Sequence, residues 1–146
     1  MILLSEDPFD PGALLTAFAQ GRSETGAVAT FTGLARAESG KTEGLELEAY
    51  PGFTEAEIGK IVDQARARWP LHDIDIRHRV GRIVPGEPIV FVAVAAGHRR
   101  AAFEACDFLM DYLKSRAPFW KKEHGPDGDR WIEPTAADHA DRDRWG

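Results

Sequence analysis

The chain has 146 residues, 43% hydrophobic and 29% charged, which fits one folded domain and excludes a disordered one. Its net charge of −6 excludes a broad basic surface for nucleic acid, and no apolar run approaches the roughly 20 residues of a membrane span. A single cysteine, Cys106, leaves no intrachain disulfide and no cysteine-based metal site, and the acidic start through Glu6 and Asp7 lacks the basic region of a signal peptide, so a cytoplasmic protein is expected.

Asp10-Pro11 opens the first helix, Asp as N-cap and Pro at the first helical position, and Gly21 closes it. Gly26 to Thr32 reads as a strand and Gly33 to Gly44 as a polar, mobile loop. Leu45 to Tyr50 alternates with period two, the mark of a half-buried strand. Thr54 and Glu57 then form a capping box, with Phe53 and Ile58 at the staple positions. Ile58, Ile61, Val62, Ala65 and Trp69 recur at helical spacing until Pro70 stops the run. Ile74, Ile76, His78 and Val80 alternate with charged residues, giving a strand with one buried face. Val84 to Glu87 is a turn, and Ile89 to Ala96 is apolar enough for a strand covered on both faces.

A long helix is predicted from His98 to about Arg116, with an apolar stripe through Phe103, Cys106, Met110 and Leu113. Ala117-Pro118 ends it. Phe119 to Lys122 and Arg130 to Glu133 read as two short strands around a Gly125–Asp129 hairpin loop. The tail beyond is acidic and is expected to order only against a partner. The expected organisation is a single catalytic domain over 1–134, with a small β hairpin at about 118–134, followed by an acidic tail at 135–146. The class is α+β, with helices packed on a mostly antiparallel sheet.

The charge is uneven. Residues 98–122 carry six basic against three acidic side chains, a cationic island in an acidic chain, and such an island suits a small anionic ligand. Lys114 and Lys121 stand on either side of Pro118, whose bend can fold the second back toward the first. Two ammonium groups brought together repel, which favours a neutral amine, and together they also form an anion site. Read separately, Lys114 is a favourable charge at a helix end and Lys121 a solvated strand residue. Gly97-His98-Arg99-Arg100 sets cationic side chains at a helix N-terminus, where they sit badly unless an anion is bound. Arg36 in the loop is a further candidate. Cys106 falls on the apolar stripe, where a thiol is inert. The five histidines show no metal-ligand spacing, and there is no glycine-rich phosphate loop.

The ordered blocks together resemble the large, catalytic subunit of molybdopterin synthase. The resemblance covers roughly residues 26–133. Its main carriers are Gly26-Ala-Val-Ala-Thr-Phe-Thr-Gly33 with Arg36, Leu47-Glu-Ala-Tyr-Pro-Gly-Phe-Thr54 and Arg68-Trp-Pro-Leu71. They continue in His78-Arg-Val-Gly81, Pro85-Gly-Glu87, His98-Arg99, Ala102-Phe-Glu-Ala105, Met110 through Glu123, and Gly128-Asp-Arg-Trp131.

The resemblance implies an α/β-hammerhead core with an added β subdomain. It implies a sulfurtransferase that needs no cofactor or metal and converts cyclic pyranopterin monophosphate to molybdopterin by building a dithiolene. Sulfur would arrive as the C-terminal Gly-Gly thiocarboxylate of a small ubiquitin-like partner. Two large subunits would form a central homodimer, with a small subunit at each end of the heterotetramer. Lys114 and Lys121 match the family's reaction-centre lysines. Arg36 matches a phosphate-binding arginine, His98 and Arg99 a substrate-binding pair reaching across the dimer, and Lys122 and Glu123 a continuation of the binding stretch. Leu34 departs from the lysine some relatives carry there. The alternatives are a non-catalytic module that binds a phosphorylated metabolite and a scaffold that recruits a small partner.

Overall fold

The computed structural model describes residues 1–36, 44–126 and 128–146. In chain order the elements are β1 (Ile2–Ser5), α1 (Pro11–Ala19), β2 (Ala27–Leu34), β3 (Gly44–Ala49), α2 (Phe53–Arg68) and β4 (Leu71–Arg79), then β5 (Gly81–Ile83), β6 (Pro88–Ala96), α3 (Arg99–Ser115), β7 (Phe119–Gly125), β8 (Gly128–Ile132) and α4 (Ala136–Asp143). Most of the loop expected over 33–44 lies outside the described residues.

The strands form two four-stranded sheets, ordered β1-β4-β6-β2 and β5-β3-β7-β8. Every pairing is antiparallel except β1 with β4. The chain is therefore α+β, as its sequence predicts. In the first sheet β6 is buried on both faces, as its unbroken apolar run requires. Val90, Val92 and Val94 pack toward α2 and α3, with Ile58, Ala65, Ile76 and Phe108. Phe91, Ala93 and Ala95 pack toward Phe18 of α1. The second sheet buries Leu45, Leu47 and Ile83 against Ala35, with Phe119 at the rim. It recruits β3 and β5 to the predicted hairpin, so the added β unit is larger than residues 118–134.

Local signals explain most boundaries. Asp10 Oδ1 accepts from the backbone N–H of Gly12 and Ala13 at 3.0 and 3.3 Å, the predicted cap of α1. His98 is the N-cap residue of α3, and the helix runs to Ser115 just before the Ala117-Pro118 stop.

Four expectations need correction. The helix α2 starts at Phe53, not after Thr54: Glu55 accepts from the Gly52 N–H at 3.0 Å, and Glu57 pairs with Lys60 at 2.8 Å. The short strands β1 and β5 were not foreseen. Phe103 does not join the core stripe of α3; it is 66% exposed. The tail orders against its own chain. Arg144 bonds Asp107 at 2.6 Å and Asp111 at 2.8 Å, both on α3, and these carboxylates raise its pKa. Trp145 packs edge-on against both Trp69 and Phe108, with ring centroids 5.7 and 5.6 Å away, while its indole N–H donates to Asp111 at 2.6 Å. Arg68 holds the Trp145 carbonyl.

Candidate active site

Lys114 lies in the last turn of α3 and is exposed, while Lys121 is the third residue of β7. Between them the backbone turns tightly. The Ala117 N–H bonds the Tyr112 carbonyl at 3.3 Å, and the Phe119 N–H bonds the Ala117 carbonyl at 2.9 Å. Side chains alternate along a strand, so Phe119, Lys121 and Glu123 share one face of β7. Lys121 pairs in register with Leu47 and Glu123 with Leu45, both buried on the inner face of the second sheet. Lys121 is thus not a solvated residue of an outer face; it is half-buried.

The Pro118 bend is gripped from two sides. The Thr54 hydroxyl, wholly buried, donates to the Pro118 carbonyl at 3.1 Å and accepts the Tyr50 N–H at 2.8 Å. The His78 ring stacks on Phe119 with centroids 4.1 Å apart and planes 19° off parallel. His78 Nδ1 lies 2.8 Å from the Arg79 carbonyl. A carbonyl only accepts, so Nδ1 carries the proton and Nε2 is left with its lone pair. Burial lowers the His78 pKa to about 4 against that hydrogen bond, and the positive charges of Lys114 and Lys121 push the same way. Both lysines thus contribute to the field at the buried His78 ring.

His78 makes a testable contribution to stability. Its pKa is about 4 in the fold and about 6.5 in the unfolded chain. As pH falls through 6.5 the unfolded state takes up the proton first, so stability present above pH 6.5 is lost progressively down to pH 4. The loss attributable to His78 is about 3 kcal/mol at most, from the two pKa values. Urea unfolding at pH 7 and pH 4.5 should show a smaller fall for His78→Phe than for the native chain. Equal falls would remove His78 as the titrating group.

The other predicted residues divide between places. Arg36 follows Ala35, whose N–H and carbonyl are clasped by the Glu87 carbonyl at 2.8 Å and the Gly86 N–H at 2.6 Å. That turn is anchored by the buried Arg79, 3.5 Å from the Glu87 carboxylate and 3.2 Å from the Arg82 carbonyl. Ala35 packs with Leu45, Leu47 and Ile83, so Arg36 emerges beside the inner face that carries Lys121 and Glu123. Lys122 points to the opposite face of β7, 3.7 Å from Asp129 and over the Trp131 ring. His98 and Arg99 are exposed at the far end of α3. Fifteen residues of helix separate Arg99 from Lys114, about 22 Å along the axis, so one chain does not bring them together.

A groove of about 500 Å³ runs between β2 and α3, with α4 on one side and Lys114 among its walls. Phe31 and Phe103, both exposed, form its apolar lip. Cys106 lies in its wall but is 7% exposed, and burial pushes its thiol up to about 12, so it stays protonated and inert as expected. Among the described residues, no helix is long and apolar enough to cross a membrane, and no cluster of His, Cys, Asp or Glu could hold a metal ion.

Sequence reasoning saw His78 only as an inward-facing strand residue and Thr54 only as a cap. A histidine in the same alternating row as Ile74 and Ile76 was the available signal for the first; nothing local marked the second.

Residues 4–116 match the family model described as MoaE protein. The molybdopterin synthase catalytic subunit of Caulobacter vibrioides is 67% identical over 99% of this chain and 97% of its own length. A solved structure of the molybdopterin biosynthesis MoaE protein from Burkholderia ambifaria MC40-6 superposes with a TM-score of 0.85 at 46% identity, covering 100% of this chain and 97% of that one. The crystal structure of molybdopterin synthase from Staphylococcus aureus gives a TM-score of 0.80 at 32% identity, covering 88% and 94%.

Proposed function

The chain belongs to the MoaE protein family, the large catalytic subunits of molybdopterin synthase, and on that premise we propose that Lys114 and Lys121 form its reaction centre, receiving sulfur from the thiocarboxylated Gly-Gly end of a small ubiquitin-like subunit. The protein is a sulfurtransferase of molybdenum cofactor biosynthesis. The observation that supports the reading of the site is the tight Pro118 bend, which joins Lys114 in the last turn of α3 to Lys121 on the inner-facing row of β7.

The substrate is cyclic pyranopterin monophosphate, and the product gains a dithiolene. A thiocarboxylate is already a strong nucleophile, so the chain need not activate a thiol of its own. Its task is to hold two reactants in line, which supplies several kcal/mol, and to stabilise the phosphate oxygen released as the cyclic ester opens. Lys114 faces the groove and meets the incoming peptide end, as nucleophile or proton acceptor. Lys121 serves as general acid or base and holds the phosphate, with Arg36 contributing a second cation. Water then frees the partner's carboxylate, and a second loaded partner repeats the transfer. An extended tail ending in two glycines needs no room for side chains in the groove, where Lys114 is the cation among the Asp107, Asp111, Asp138 and Asp141 carboxylates.

His98, Arg99 and Lys122 do not face this centre within one chain. A dimer of large subunits, each lending His98 and Arg99 to the other's pocket, accommodates the first pair, with a cytoplasmic heterotetramer as the working form. Lys122 and Glu123 extend the binding stretch on the two faces of β7.

A single-turnover reaction tests this reading. Thiocarboxylated small subunit and cyclic pyranopterin monophosphate are mixed with the chain, and dithiolene is measured after conversion to a fluorescent pterin. Stoichiometric dithiolene is expected; a chain that binds both components and yields none is a scaffold or a binding module.

A further inference from the structure

We propose that Thr54 and His78 are positioning residues that clamp the Pro118–Phe119 bend and thereby set the separation of the Lys114 and Lys121 amines. The inference rests on the reading of those two lysines as the reaction centre and adds the residues that hold them in place.

Thr54 sits in the first turn of α2, yet the helix does not use its hydroxyl as a cap. The Gly52 N–H is satisfied by Glu55, two residues from the helix start. The Thr54 hydroxyl accepts the Tyr50 N–H at 2.8 Å and donates its own proton 64 positions along the chain to the Pro118 carbonyl at 3.1 Å. Packing alone would be served by valine, which has the same shape. The hydroxyl bridges the Tyr50 backbone before α2 to the Pro118 carbonyl of the bend. Pro118 lies where the helical backbone of α3 has ended and β7 has not begun, so neither element's hydrogen-bond ladder fixes its carbonyl.

His78 holds the next residue from a different element. Its ring lies flat on Phe119 at 4.1 Å, and its Nδ1–H is tied to the Arg79 carbonyl at 2.8 Å, which fixes the ring's orientation. Phe119 and Lys121 share a face of β7, so a change in the seat of Phe119 carries Lys121 with it. Two consecutive residues of the bend are thus held by α2 through a hydrogen bond and by β4 through a stacked ring. Lys114 lies four residues before the clamp and Lys121 two residues after it. Catalytic geometry of this kind tolerates little displacement, and a shift of about 1 Å costs roughly a hundredfold in rate.

The test uses the chain assembled with its small partner and four variants. Thr54→Val keeps the shape and removes the hydroxyl, while Thr54→Ser keeps the hydroxyl. His78→Ala removes the stack, while His78→Phe keeps it. Two quantities are read: kcat and KM for dithiolene formation, and the yield per folded chain of a Lys114–Lys121 bridge made by a short amine-reactive cross-linker, measured by peptide mass spectrometry. Thr54→Val and His78→Ala should lower kcat at least about tenfold, leave KM within about threefold, and reduce the bridge. Thr54→Ser and His78→Phe should retain both. A residue that only supports the fold would change the amount of folded chain and leave the bridge yield untouched. Native kcat and native bridge yield in Thr54→Val overturn the clamp; should that variant fail to fold, the same result in His78→Ala does so. If Lys114→Ala and Lys121→Ala both turn over normally, the lysine assignment fails, yet the bridge still reports whether Thr54 and His78 set the amine spacing.

Discussion

Lys114→Ala and Lys121→Ala should each lower the rate of dithiolene formation by about 10²–10³-fold while the fold survives. Removing one preorganised charge from a site where an oxyanion develops costs that much in well-characterised enzymes. The two amines act on one reaction, so the double variant should be little worse than either single one. Stability should hardly change. Lys114 is exposed at the C-terminal end of α3, where its charge contributes about 0.3–1 kcal/mol with the helix dipole. Arginine at either position separates charge from proton transfer: it keeps the cation, but a guanidinium does not give up its proton. Single-turnover rates with thiocarboxylated partner, alongside melting curves, give the comparison. A Lys114→Ala chain that works at the native rate would end the assignment.

Phe108→Ala should destabilise the fold by about 3–5 kcal/mol, the usual cost of hollowing out a buried aromatic site. Phe108 is fully buried and touches four other groups at once. Its ring lies 5.3 Å from Trp69, 4.5 Å from Tyr112 and 5.6 Å from Trp145, and the Arg68 guanidinium sits 5.1 Å above it. The truncation therefore opens a cavity between α2, α3 and the tail, and the neighbours are too rigid to close it. A fall in melting temperature of more than about 10 °C is expected. Phe103→Ala on the same helix is the control: its ring is largely exposed, and the change should stay within about 0.5 kcal/mol. Urea unfolding of the two variants decides the matter, and equal losses would contradict the packing described.

The contrast between Phe103 and Phe108 shows what a linear reading can and cannot reach. Helical periodicity gives the axis of α3 and most of its buried side, but not where the neighbouring sheet stops covering it. β6 and α1 were legible because their signals are local: an unbroken apolar run, and an Asp-Pro pair at a helix start. β1 was not legible, because four residues gain strand structure only by pairing with β4 more than 70 positions away. α4 has no buried apolar face of its own, and it is held through Arg144 and Trp145 by residues of α2 and α3. Thr54 misled for a related reason: its hydroxyl does not cap the N3 position but bridges the preceding Tyr50 N–H to the distant Pro118 carbonyl. In the candidate site, the family resemblance located both lysines, and strand alternation put His78 on a buried face. That Lys121 and Lys122 point to opposite sides of one strand, and that α3 keeps Arg99 far from Lys114, required the folded geometry.

The state of Cys106 has a consequence for tracing atoms. It is the sole cysteine of the chain, and its sulfur is locked in the protonated form inside the groove wall. The two methionines hold their sulfur as thioethers, which do not exchange. The polypeptide therefore adds no exchangeable sulfur to the reaction. On the proposed reading, a heavy isotope placed on the thiocarboxylate would reach the dithiolene undiluted, and the isotope content of the product would show whether both of its sulfurs came from the labelled donor.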